Sequence, residues 1–204
     1  SELLLGISVY LLASEVGHAR PTALGFALLL LGGFAMRGTL LTLHVGQITI
    51  VLLFVVTLFL VWMERDRPFP AGMALALTAL KPNPFLLLAP LLGLWLAWRR
   101  EWRALLGAAT GGAAMLGATW LIQPGWPLEW FAVRGKTAAT FRTPTVWGLA
   151  HAIAPALWPA LGLLGAGAVT AIVGWIVFRR REWGAAEVAA LGMAGSLLVT
   201  PYAW

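Results

Sequence analysis

The sequence predicts an all-α fold, a polytopic transmembrane helical bundle, and three observations carry that expectation. Of its 204 residues, 60% are hydrophobic and 11% charged, and the mean hydropathy is +0.85, more apolar surface than a soluble core of this size can bury. The apolar residues fall into about eight segments, near 2–14, 21–36, 47–63, 69–80, 84–98, 104–122, 158–178 and 185–199. The polar residues between them gather in short basic turns. Some segments fall short of the ~17 residues that a simple span needs, which suits tilted, interrupted or protein-covered helices better than lipid-facing rods. No soluble domain or linker divides them, so 1–204 reads as a single transmembrane domain. The chain begins at Ser1 inside an apolar run and stops at Trp204 without a polar tail, the pattern of a fragment of a longer chain.

Charge sets the expected orientation. The formal net charge is +6, but the basic residues lie in clusters between apolar runs, which is a membrane-orientation signal and not a nucleic-acid footprint. The turns "SEVGHARP" (14–21), "ERDRP" (64–68), "RREWR" (99–103) and "RRREW" (179–183) are therefore expected on the cytoplasmic side. The opposite face then collects "RGTLLTLHVGQ" (37–47), "KPNP" (81–84), a long loop over 123–151 and "TPYAW" (200–204). Long connections are where function concentrates. With no cysteine in the chain, disulfides, thiolate metal sites and cysteine nucleophiles are excluded.

Lys81 is the most informative polar residue. It lies about a dozen residues beyond the turn ending at Pro68, so at ~1.5 Å per helical residue it sits some 18 Å from that edge of a ~30 Å core. Pro82 and Pro84 cannot continue a helical hydrogen-bond ladder, so the helix is expected to open there. Open backbone at that depth is tolerated only beside protein or a watery cavity, and an intramembrane ammonium marks a functional site. A ligand phosphate would supply its anion; snorkelling to the surface is the bland alternative.

His44 and Gln47 stand one turn apart and share a helix face, either to bind a polar ligand or to hydrogen-bond a neighbouring helix. One histidine without a nearby acid makes no metal site. In the 123–151 loop, Trp126, Trp130 and Phe131 precede Arg134, Lys136 and Arg142. Such a segment either anchors at the headgroups or caps a cavity that holds a lipid-linked phosphate. Gly107 with Gly111, and Gly192 with Ser196, have small-xxx-small spacing for close helix packing. Asp66 is the only aspartate, in a basic turn. Walker, GxSxG and HExxH motifs are absent.

Four stretches in order, "GQITIVLLFVVTLFLVWMERDR" (46–67), "AGMALALTALKPNPFLLLAPLLGLWLAWRREWRALLGAA" (71–109), "TPTVWGL" (143–149) and "SLLVTPYAW" (196–204), resemble glycosyltransferase family 87, polytopic enzymes of the GT-C type. The resemblance implies transfer of a sugar, often mannose, from a polyprenyl-phosphate sugar donor to a lipid or glycan acceptor on the non-cytoplasmic side, in contact with membrane lipids. It implies no metal and no cofactor, and an aspartate in the first external loop as general base. Here no external aspartate exists, so that loop is expected upstream of Ser1 and the fragment is expected to be inactive alone. The substrate-binding candidates are Lys81, Gln47, His44, Arg134, Lys136, Arg142 and, in the late proline–tyrosine motif, Tyr202. The rival expectations are a secondary transporter and a non-catalytic membrane subunit. A transporter calls for an inverted repeat and a deep ion site, and the sequence shows neither.

Overall fold

A computed structural model describes residues 2–18, 21–35, 49–81, 83–126, 128–129 and 145–200. Among these residues there are nine α-helices and no strand. They are α1 Glu2–Leu11, continued by a π-helical turn Leu12–Val16, α2 Ala23–Ala35, α3 Thr49–Glu64, α4 Pro68–Leu77, α5 Leu88–Trp98, α6 Trp102–Ile122, α7 Val146–Ile153, α8 Trp158–Arg179 and α9 Ala185–Val199. The all-α expectation holds, and eight of the nine fall on the apolar segments. The exception is α7, which begins inside the stretch expected as a loop over 123–151 and runs two residues past it. At eight residues it is too short to register as a span. It starts at Thr145, whose hydroxyl accepts a bond from Gly148 N, and it ends just before Pro155.

Helix limits follow local chemistry. Pro68 opens α4 at a position where its missing N–H costs nothing. The basic turns after α3 and α5 close alike: Arg67 N bonds to Trp62 O and Asp66 N to Met63 O, while Glu101 N bonds to Leu96 O and Arg100 N to Ala97 O. Asp66 and Arg100 take the left-handed conformation, with φ 53° and 61°, that this six-residue cap requires. The carbonyls of Trp62, Met63, Leu96 and Ala97, in the last turns of both helices, are thereby satisfied by the chain itself. Inside the helices, Ser8 and Thr57 donate back to Leu4 O and Leu53 O, which removes their hydroxyls from apolar surroundings.

The chain forms two compact units. The first comprises Ser1–Thr78 with Arg103–Gly111, and the second Ala79–Trp102 with Gly112–Trp204. In the first, α3 packs on α1 and α4 around Leu52, Val56, Phe59 and Leu60. The opening half of α6 lies against α4 through glycines. A Cβ at Gly107 would land on the Phe69 carbonyl, and one at Gly72 on the Ala104 carbonyl. The Gly107/Gly111 spacing thus permits backbone-to-backbone approach.

Two of the basic turns meet in this unit. The Arg65 guanidinium donates to both Glu15 carboxylate oxygens, at 2.9 and 3.0 Å, and the His18 imidazole lies 3.9 Å from Glu64. The hydrogen bond from Arg65 to Glu15, and then the carboxylate's charge, hold the Arg65 guanidinium above its ordinary pKa. A raised basic group contributes stability below its unfolded value and loses it only as pH climbs through the folded value. Arg65→Gln should therefore lower the melting temperature equally in neutral and mildly alkaline solution. The effect should be small and shrink in high salt, because the pair is half exposed; melts at two salt concentrations check it.

Candidate functional site

The site is built around an interruption. The α-helical ladder of α4 ends at Leu77, gives way to a 3₁₀ turn Thr78–Leu80 and a bend at Lys81, then to a second 3₁₀ turn Asn83–Phe85, and resumes at Leu88. The opening expected at "KPNP" is present, and the Lys81 side chain is partly exposed.

A restarted helix has amide groups with no intrahelical acceptor, and at α5 no residue of the same segment caps them. The cap comes from α9. Ser196 Oγ accepts hydrogen bonds from Leu87 N at 3.0 Å and Leu88 N at 2.8 Å, across a sequence separation of more than a hundred positions. Ser196 and Leu88 are fully buried. The approach depends on the small face of α9: a Cβ at Gly192 would press on Leu88, and one at Gly195 on the Leu87 side chain. Beyond Ser196, the Thr200 hydroxyl donates to Asn83 O at 2.5 Å, fastening the 3₁₀ turn that follows Lys81.

The third strand of this knot comes from α7. The Trp147 indole N–H donates to Val199 O at 2.7 Å, satisfying a carbonyl at the end of α9. Its ring lies against Gly162 of α8 and edge-on to Trp158, with centroids 6.2 Å apart. The sequences "KPNPFLL", "TPTVWGL" and "SLLVT" are thus interlocked by side-chain-to-backbone hydrogen bonds at one end of the second unit. Its two arginine-rich turns lie at the other end, one length of α5 away, where an Arg99 N–H donates to Arg181 O at 3.4 Å.

Of the seven substrate-binding candidates, Lys81 lies among the described residues. His44, Gln47, Arg134, Lys136, Arg142 and Tyr202 lie outside them. Glu129 accepts a hydrogen bond from Gln123. Among the described residues no group of three His, Cys, Asp or Glu side chains is placed to hold a metal. Sequence reasoning gave Ser196 a packing role and Thr200, Asn83 and Trp147 none. The available signal was a hydroxyl within a small-residue face, in a protein with one visibly broken helix.

Ser196→Ala should leave two buried N–H groups unpaired and destabilise the protein by about 1–3 kcal/mol, with Ser196→Thr closer to wild type because it keeps the oxygen. Thermal or denaturant melts of the detergent-solubilised protein measure it.

Among the described residues two helices, α6 and α8, are long and apolar enough to cross a bilayer, with mean hydropathies of 1.5 and 2.1. Only 11% and 17% of their most apolar windows are buried inside the protein, so neither is the buried core helix of a soluble domain, and a lipid surrounding suits the uncovered apolar faces. Fold and site together define a helical membrane protein with an interrupted helix, its restart pinned in place by distant segments. The chain belongs to glycosyltransferase family 87, whose profile matches residues 1–201. Neither a curated protein nor a solved structure matches it. Membership makes it a membrane glycosyltransferase, and one that in general terms takes a sugar donor and an acceptor.

Proposed function

We propose that this chain forms one transmembrane domain, from 1 to 204, of a multi-pass GT-C-type enzyme that moves a sugar from a polyprenyl-phosphate donor to a lipid or glycan acceptor on the non-cytoplasmic side. Mannose is the sugar that the family resemblance favours. The observation that carries the reading is the helix interrupted at Lys81, whose restart is fixed by Ser196 and Thr200. A lysine at such an opening offers an ammonium to a phosphate at a depth where water competes poorly.

The chemistry then follows from charge. The acceptor hydroxyl oxygen forms a bond to the sugar's anomeric carbon as the bond from that carbon to the phosphate oxygen breaks. The leaving polyprenyl phosphate gains negative charge in the transition state, which preorganised cations stabilise. Lys81 takes that role, joined by Arg134, Lys136 and Arg142, while His44, Gln47 and Tyr202 hold phosphate or sugar hydroxyls. The hydroxyl's proton passes to a carboxylate base, the aspartate that the family resemblance assigns to the first external loop.

The orientation draws support from each unit separately. In the first, the turns at Glu15 and Arg65 meet, and in the second those at Arg99 and Arg181 meet, as turns sharing one compartment should. The test is reconstitution of the native protein in vesicles with radiolabelled polyprenyl-phosphate mannose. Transfer of label to an acceptor supports the reading; label that crosses the bilayer unreacted, or stays on the donor, overturns it.

A further inference from the structure

The end of the second unit opposite Lys81 carries a surface to which the proposed transfer assigns no role. Five arginines, Arg99, Arg100, Arg179, Arg180 and Arg181, are exposed there on two turns that are distant in sequence. The turns are joined by the bond from Arg99 to Arg181 O and by the edge-to-face pair Trp98–Phe178, centroids 5.7 Å apart. Three glutamates share this end. Glu182 pairs with Arg180 at 3.5 Å, and Glu187 accepts the Gly184 N–H at 3.0 Å; Glu101 is the third. Among the described residues, Arg180 is the only one of the five arginines in an ion pair with a carboxylate.

Two of the guanidinium groups rest instead on indole faces: Arg179 lies 5.1 Å from the centre of the Trp175 ring, and Arg99 5.6 Å from that of Trp95. A guanidinium seated over an indole ring still has N–H donors to offer phosphate oxygens, and Arg99 has given one of its own to Arg181 O. Trp175 is 60% and Trp98 40% exposed, as amphipathic rings are where acyl chains give way to headgroups. Cationic donors, aromatic rings at their base and a surplus of positive charge together describe a seat for a phosphodiester at the membrane surface.

We infer that the paired turns 99–101 and 179–182 form a binding site for an anionic glycerophospholipid headgroup. The stacked Arg99 and Arg179 grip the phosphate, and Arg100 and Arg181 supply the field that selects a net negative lipid over a zwitterionic one. The occupant is a lipid and not free phosphate, because Trp175 and Trp98 beside the arginines are exposed and suited to line acyl chains, while Trp95 beneath Arg99 is buried.

The test uses the purified protein in nanodiscs of phosphatidylcholine alone or mixed equally with phosphatidylglycerol, with retained lipid counted by native mass spectrometry. Wild type should retain phosphatidylglycerol over phosphatidylcholine by about tenfold or more, because basic side chains beside a membrane favour anionic lipid. The preference should collapse in Arg99→Gln/Arg179→Gln/Arg181→Gln. If that variant is not monodisperse, Arg179→Gln alone, an exposed position, should reduce the preference several-fold. Arg179→Lys should restore only part, because the ammonium keeps the charge and loses the guanidinium's forked donors. Equal retention of the two lipids, an unchanged preference in the variants, or displacement of phosphatidylglycerol by inorganic phosphate at equal concentration overturns the inference. None of these readouts depends on sugar transfer.

Discussion

Lys81→Ala is expected to lower sugar transfer by about 100- to 1,000-fold while expression and the melting temperature stay close to wild type. The magnitude is that of removing one preorganised group facing developing negative charge. The structural reason for sparing stability is that Lys81 is partly exposed at a bend, with the hydrogen bonds that hold the bend provided by Ser196 and Thr200 on neighbouring groups. Lys81→Arg should recover part of the rate, since the charge survives with a different donor geometry. The measurement is initial rate against donor concentration. An effect on the rate at saturating donor marks transition-state stabilisation; one on the Michaelis constant alone marks uniform binding. Full activity in Lys81→Ala would remove the residue from the mechanism.

Gly107→Leu carries the largest expected effect on folding. The space its side chain needs is occupied by the Phe69 carbonyl, with Met73 N behind it. A flexible side chain could turn away; backbone can yield only if α4 and α6 separate, which would also loosen the contact of Gly72 with Ala104. The cost should exceed the ~1–3 kcal/mol of ordinary overpacking, seen as a steep drop in melting temperature or loss of a monodisperse protein. Gly112→Ala, five positions along the same helix, is the informative contrast. Nothing lies within 4 Å of its added methyl, so it should be neutral or stabilise by up to about 1 kcal/mol from helix propensity. Equal tolerance at both positions would mean that α4 and α6 do not pack through their backbones.

Much of this protein is written locally. Runs of apolar residues give the all-α class and place α9 at 185–199 and α6 within two residues of its start, because a helix satisfies its own backbone in lipid wherever the run is long enough. Pro82 and Pro84 mark the break that the structure bears out on both sides, since the missing N–H acts whatever surrounds it. The small residues on α6 and α9 announce close packing, though not against what. Only the tertiary structure decides that Ser196 caps α5, that Trp147 closes α9, that Glu15 finds Arg65, and that α7 forms at all. Those bonds join positions up to more than a hundred residues apart, and a hydroxyl or an indole bears no mark of its distant partner. Composition and spacing act along the chain; the choice of which orphaned amide meets which buried oxygen belongs to the packed helices.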